Sequence, residues 1–242
     1  NSLLSCIWTG FVVGPRMKEW LESHPEEADS SLYEGEKKRQ EDINENIMKN
    51  DGDENAFVIQ RELGDAMTRY CTVVRRNEGL QQLLEKLDEL EERMEKAGVH
   101  DDAKSVNQTF QYTRAIQDML PLARVIAKGA LMRDESRGAH YKPEYQLELP
   151  DKEKIGKHTD STIYHEFVKD LEQANKAHYE VAAKNGAQVA PEFEEFMKKW
   201  VEREKKWNKT TMASYQGHRE DPKIDYKDVV MTVQPPKPRI YK

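Results

Sequence analysis

The stretch "MRDESRGAHYKPEY", residues 132 to 145, packs charges of both signs, a glycine and a histidine into a few positions. Glu135, Arg137 and His140 offer a carboxylate, a fixed cation and a group that titrates near neutrality, the ingredients of proton transfer or of anion binding. The same ingredients build buried ion-pair networks, the commoner cause of such clusters. Arg137 also complements the dipole at the end of a long helix, Gly138 permits a sharp reversal, and Pro143 drives its predecessor into extended backbone. The stretch therefore reads as a turn that locks one part of the protein against another.

Elsewhere chemistry is sparse. His165-Glu166 lacks the second histidine of a zinc peptidase helix, and neither a phosphate-cradling glycine loop nor a GxSxG elbow is present. The seven histidines are scattered over different elements, and His178 falls on an apolar stripe. No catalytic residue and no metal ligand is assigned in this chain. Cys6 and Cys71 stand far apart outside any CxxC pattern, which fits a reducing compartment. Net charge is −7, and the basic residues interleave with glutamates as in "EFMKKWVEREKKW", so no face reads as a phosphate-binding stripe for nucleic acid. The longest apolar run, "LLSCIWTGFVV", falls short of the roughly 20 residues a membrane span needs, and lacks a signal peptide's basic start.

The elements that must position the turn are helical. Residues 3 to 13 predict an apolar helix, broken at Gly14-Pro15 and followed by a short helix ending near His24-Pro25. A capping box at Ser31 and Glu34 opens a charged helix towards Asn50, and "NDGDEN" stops it. Next come three stripes: Ile59, Leu63, Ala66, Tyr70 and Val73; then Leu80, Leu83, Leu87, Leu90, Met94 and Ala97 at strict heptad spacing, with Gly98 as a C′ glycine; then Val106, Phe110, Ile116, Leu120, Ala123 and Ala127 from a cap at Ser105, with Pro121 inside. Three such seams with short connections predict an antiparallel bundle. Tyr164 to Val181 and Phe193 to Trp207, joined by "KNGAQVAP", predict an αα-hairpin, and "TTMASYQ" and "IDYKDVVMTV" predict a small antiparallel pair before a proline-rich tail.

The fold expected is all-α: a three-helix, spectrin-repeat-like bundle with an inserted αα-hairpin and a small C-terminal β element. On pattern alone a free-standing interaction scaffold would satisfy it. Five segments carry more: "NSLLSCIWTGFVVGP", "ELGDAMTRYCTVVR", "LARVIAKGALMRDESRGAHYKPEY", "KTTMA" and "PKIDYKDV". Together they resemble the C-terminal part of the flavoprotein subunit of succinate dehydrogenase and fumarate reductase, nearest Bacillus-type sequences, across the chain except roughly residues 146 to 206.

The resemblance implies an oxidoreductase that moves a hydride between succinate and FAD, hands electrons to an iron–sulfur subunit, and lies peripherally on the inner, cytoplasmic face of a bacterial membrane through other subunits. On that resemblance residues 1–25 are the end of an FAD-binding domain and 26–145 the bundle domain, whereas the residue pattern reads 146–206 as an inserted hairpin that departs from the family and 207–242 as the β segment. FAD-binding and capping domains of the same polypeptide would supply the dinucleotide glycines, the flavin-linked histidine and the substrate arginines, so this chain alone is expected neither to bind FAD nor to act. Ser2 and Leu3 match positions that contact the isoalloxazine, at a helix start whose free N–H groups favour negative charge. Arg137 is left with two readings, part of the locking turn or a group helping to position the dicarboxylate. The apolar start, Leu3 to Val12, is expected to be buried within the flavin domain of the intact enzyme; in this chain alone it is expected to pack on the bundle, with the small-residue end of the third helix at Ala123, Ala127 and Ala130 as the docking surface, to pack on a second copy in a homodimer, or to become disordered.

Overall fold

The computed structural model describes residues 2–24, 27, 29–103, 105–148, 191–216 and 220–230. Its contacts divide the chain into two compact units, Asn1–Met48 and Lys49–Lys242. The first holds α1 (Ser2–Ser23) and nearly all of α2 (Ser30–Lys49). No break occurs at Gly14-Pro15. Pro15 lies inside α1, where it removes one backbone donor without ending a helix twenty-two residues long. Leu3, Leu4, Ile7, Trp8 and Phe11 are all exposed, Trp8 to 66%. His24 closes the helix by stacking on Trp20, ring centres 4.6 Å apart. α2 is capped by Asp29 rather than Ser31: the Asp29 carboxylate accepts from Ser31 N at 2.8 Å, and bonds from Ser31 hold its pKa below the usual value.

The second unit is built on α3 (Ala56–Cys71), α4 (Asn77–Met94) and α5 (Gln108–Met132), which pack pairwise. Asn55 opens α3 by accepting from Phe57 N at 2.9 Å. Ile59, Leu63 and Ala66 face inward, but α3 stops at Cys71, so Val73 falls in the connection and is exposed. The α4 seam is as the heptads demand: Leu80, Leu83, Leu87 and Leu90 are wholly buried, and Met94 and Ala97 join the same core. Truncating any of these leucines to alanine costs about 2 to 5 kcal/mol in a core of this kind.

Gly98 is not a C′ glycine. α4 ends four residues earlier, and Gly98 runs beside Glu54, donating its N–H to Glu54 O at 3.2 Å. A Cβ there would stand 2.2 Å from Gly52 O, so the glycine serves a close backbone approach. α5 also begins later than expected. Its cap is Asn107, which accepts from Phe110 N at 2.8 Å, while Val106 takes a left-handed φ of 58° and is 86% exposed. Beyond that point the stripe holds, with Ile116, Leu120, Ala123, Ala127 and Ala130 buried and Pro121 inside the helix. Those alanines belong to the core cluster of the bundle itself.

Two charged residues sit on the buried seams. Arg124 of α5 donates to Glu91 of α4 at 2.9 Å and to Asp88 at 2.6 Å, so the pair enters the core already compensated.

After the turn at 133–142 comes a short 3-10 turn, Pro143–Tyr145. The first helix expected for the hairpin, Tyr164 to Val181, and its "KNGAQVAP" reversal lie outside the described residues. The second is α6 (Pro191–Trp207), with Phe196, Trp200, Val201 and Trp207 buried. β1 (Lys209–Ser214) and β2 (Lys223–Asp228) then pair antiparallel, Thr211 opposite Tyr226. Tyr226 meets the Trp207 ring edge-on at 5.6 Å, tying the sheet to α6. The proline-rich tail lies outside the described residues.

Candidate functional site

The turn at the end of α5 is where distant segments converge. Glu135 is 0% exposed. A buried carboxylate without partners would be costly, and it has three arginines around it. Arg133 Nε donates to it at 2.7 Å and Arg137 Nε at 3.0 Å, and Arg203 of α6 lies 4.0 Å away. Arg137 also donates to Glu204 of α6 at 2.7 Å, a second buried carboxylate. Burial works against the Arg137 charge, but its bonds to Glu135 and Glu204 outweigh that and hold its pKa up.

Arg133 turns the other way. It donates to Trp207 O, to Lys209 O and to Thr211 Oγ1, the latter two at 3.1 Å, and lies over the Trp207 ring. One guanidinium therefore fixes the end of α5, the end of α6 and the start of β1.

Lys142 is likewise 0% exposed. Its ammonium donates to Leu131 O and to Asp134, each at 3.0 Å, which closes the loop back on the helix it left. Burial lowers its pKa, partly offset by Asp134. Ser136 bridges the loop from inside, donating Oγ to Lys142 O at 2.7 Å and accepting from Lys142 N at 2.9 Å.

His140 holds the third side. Arg75 donates to His140 Nδ1 at 2.9 Å, and His140 Nε2 lies 2.8 Å from Arg133 O. A guanidinium only donates and a carbonyl only accepts, so the imidazole must be neutral with its proton on Nε2. Burial lowers its pKa first, the Arg133 carbonyl opposes this, and the charges of Arg75, Lys142 and Arg133 lower it further. Arg75 N also donates to Tyr141 O at 2.8 Å, beside a parallel bridge between Val74 and Tyr141.

Arg137 is engaged by Glu135 and Glu204 on its donor face, so the geometry favours the locking reading over a dicarboxylate anchor. Three segments singled out in the sequence meet here: "RYCTVVR", "RDESRGAHYKPEY" and "KTTMA". Arg203 and Glu204 were not singled out. The signal was present, since Glu204 falls on the stripe between Trp200 and Trp207, and a charge on an apolar stripe marks a buried pair.

Ser2 and Leu3 sit elsewhere. They open α1 in the first unit, with Leu3 80% exposed. Among the described residues no cluster of three or more His, Cys, Asp or Glu side chains is placed to hold a metal, and both cysteines are free. No helix among them is long and apolar enough to cross a membrane.

A helical bundle sealed by a buried ion-pair junction and a two-stranded antiparallel hairpin defines an all-α module with a small β element. Residues 60–241 match the family model described as fumarate reductase flavoprotein C-term, and the chain belongs to that family. It is 47% identical over 148 residues to the succinate dehydrogenase flavoprotein subunit of Bacillus subtilis, covering 60% of this chain and 25% of that one. It is 31% identical over 160 residues to the fumarate reductase flavoprotein subunit of a Serratia strain, covering 66% of this chain and 26% of the other. Among solved structures, a variant of the E. coli quinol fumarate reductase FrdA superposes over 89% of this chain and 28% of its own, with TM-score 0.60 at 22% identity. The chain thus spans about a quarter of the length of the curated relatives it matches.

Proposed function

We propose that the chain is the helical C-terminal part of a flavoprotein subunit that interconverts succinate and fumarate with FAD and passes electrons to an iron–sulfur subunit. The 47% identity to the Bacillus subtilis succinate dehydrogenase subunit carries this reading. FAD, when bound, accepts or returns the hydride. The helix start at Ser2 suits one edge of it: the first N–H groups of α1 have no partner within the helix and favour negative charge, and Leu3 is exposed beside them. No other residue of the chain is assigned to the cofactor, so the chain alone neither retains FAD nor oxidises succinate.

The chain's own contribution is rigidity. The Glu135 junction fixes α5, α6 and β1 against one another, so that the FAD-binding and capping domains of the same polypeptide would meet an unyielding surface. The apolar α1 packs in the FAD-binding domain of that polypeptide, with a homodimer of this chain as the occupant when that domain is missing. The protein sits at the inner, cytoplasmic face of a bacterial membrane, held there by other subunits. Divisions at residues 25, 145 and 206 remain the proposed domain limits.

Mass spectrometry and absorbance of the native gene product test this. A longer polypeptide with bound flavin and fumarate-coupled activity is the expected result. A flavin-free product that starts at Asn1 would overturn it in favour of a free-standing scaffold.

A further inference from the structure

The turn after α5 holds one titratable group whose contacts its protonated form cannot make. His140 Nδ1 accepts from Arg75 at 2.9 Å while Nε2 donates to Arg133 O at 2.8 Å. The neutral ring has one acceptor and one donor, and both are used. A proton at Nδ1 turns that acceptor into a donor facing a guanidinium, with two positive charges at hydrogen-bond distance.

The groups packed around the ring decide whether such a cation would be sheltered. From the connection between α3 and α4 comes Arg75, with the buried Cys71 thiol beside it, which burial keeps neutral. Arg76 of that connection is taken by Glu144. Within the turn, Arg133 and Lys142 add further positive charge. The nearby carboxylates are engaged: Asp134 by Lys142 at 3.0 Å, Glu135 by Arg133 and Arg137, and Glu204 of α6 by Arg137 and Arg203. The β hairpin brings the Tyr226 phenol, whose pKa burial raises, so it stays neutral as well. No counter-ion is left for an imidazolium.

What the ring holds is a lightly anchored segment. Residues 72–76 expose Val73 and Val74. They meet the turn through the Arg75 side chain, through Arg75 N–H on Tyr141 O at 2.8 Å, and through the surface pair Arg76–Glu144. α4 has anchors of its own, Asn77 on Asp134 and the buried leucine seam. A segment with so few buried apolar contacts belongs to the easily opened part of a fold.

We propose that His140 is a proton-operated latch: the neutral ring holds residues 72–76 to the turn through Arg75, and a proton at Nδ1 expels the guanidinium and frees that connection while the bundle stays folded. The open state accepts the proton more readily than the closed one, so acid favours release. Burial and the surrounding cations lower the ring's pKa from 6.5, which places release on the acid side of that value. The latch is independent of the flavin reading.

Amide exchange corrected for its intrinsic pH dependence, and titration of the His140 ring, both followed by NMR on the purified protein from pH 7.5 to 4.5, test this. Protection of the Arg75 N–H is expected to fall by about tenfold or more as the ring titrates, while the amides of Leu83 to Leu90 keep theirs. His140→Gln, whose amide accepts and donates without titrating, is expected to abolish the change. Arg75→Met is expected to move the ring's titration up by about half a unit or more, because a cation that opposes the proton has gone. Unchanged Arg75 protection across the titration, an equal fall in His140→Gln, a parallel fall throughout α4, or an unmoved titration in Arg75→Met overturns the proposal.

Discussion

Replacing Glu135 by alanine removes the only carboxylate that Arg133 and Arg137 share from within the turn. Glu135 is fully buried, so its loss leaves positive charge enclosed without its main counter-ion. Breaking a buried pair in this way costs about 3 to 5 kcal/mol. The structure places the loss in the lower half of that range, because Arg133 keeps Lys209 O and Thr211 Oγ1 and Arg137 keeps Glu204. For a chain of this size each kcal/mol moves the melting midpoint by about 2 to 4 °C, so a drop of roughly 6 to 16 °C follows. Glu135→Gln, which retains volume and an acceptor, should lose about half as much. The control is Arg76→Ala: its partner Glu144 is at 2.5 Å, but both side chains are about half exposed, and such a pair contributes at most about 1 kcal/mol. Urea titration followed by circular dichroism reads all three. If Glu135→Ala falls within about 1 kcal/mol of the parent, or no further than Arg76→Ala, the junction does not hold the elements together as argued.

Two further outcomes follow from neighbouring features. His140 is neutral in the fold with a pKa lowered from 6.5, so its contribution is complete above 6.5 and is lost as pH falls towards and through the lowered value, where the unfolded chain takes the proton first. Stability measured from pH 7.5 down to 4.5 should show an acid-side decline that His140→Gln flattens; an identical decline in that variant would assign it to other groups. Gly98→Ala forces a Cβ to 2.2 Å from the Gly52 carbonyl, a backbone atom that cannot rotate away, and should cost about 1 to 3 kcal/mol, whereas Gly35→Ala in open space on α2 should stabilise slightly. Equal effects at the two glycines in thermal melts would contradict the close approach.

The bundle was legible because it rests on periodicity. Leucines at 80, 83, 87 and 90 have one arrangement that buries them all, and the structure adopts it. Helix starts were less legible, since a serine with a glutamine three residues on is only one solution: Asn107 took the cap that Ser105 was expected to hold because Val106 entered the left-handed region between them. Pro15 misled for a related reason, a rule about local cost that a long helix overrides. In the candidate site, Glu135, Arg137 and His140 drew notice as a cluster of types. What they bind could not be read locally, because Arg75, Glu204 and Thr211 are distant in sequence and only the fold makes them neighbours.

The Glu135 turn has a consequence for the order of assembly. α3, α4 and α5 follow one another along the chain and can pair over short loops, whereas the turn waits for residues 65 to 78 positions away, as in Arg75 with His140 and Arg133 with Thr211. Closing such loops is entropically costly before any contact rewards it. We predict that the bundle forms first and that the ion pairs close after the rate-limiting barrier, so that Glu135→Ala speeds unfolding and leaves the refolding rate unchanged in stopped-flow measurements. Interactions absent from that barrier govern escape rather than entry, so the junction sets how long the assembled module survives, while its folding speed belongs to the leucine seams.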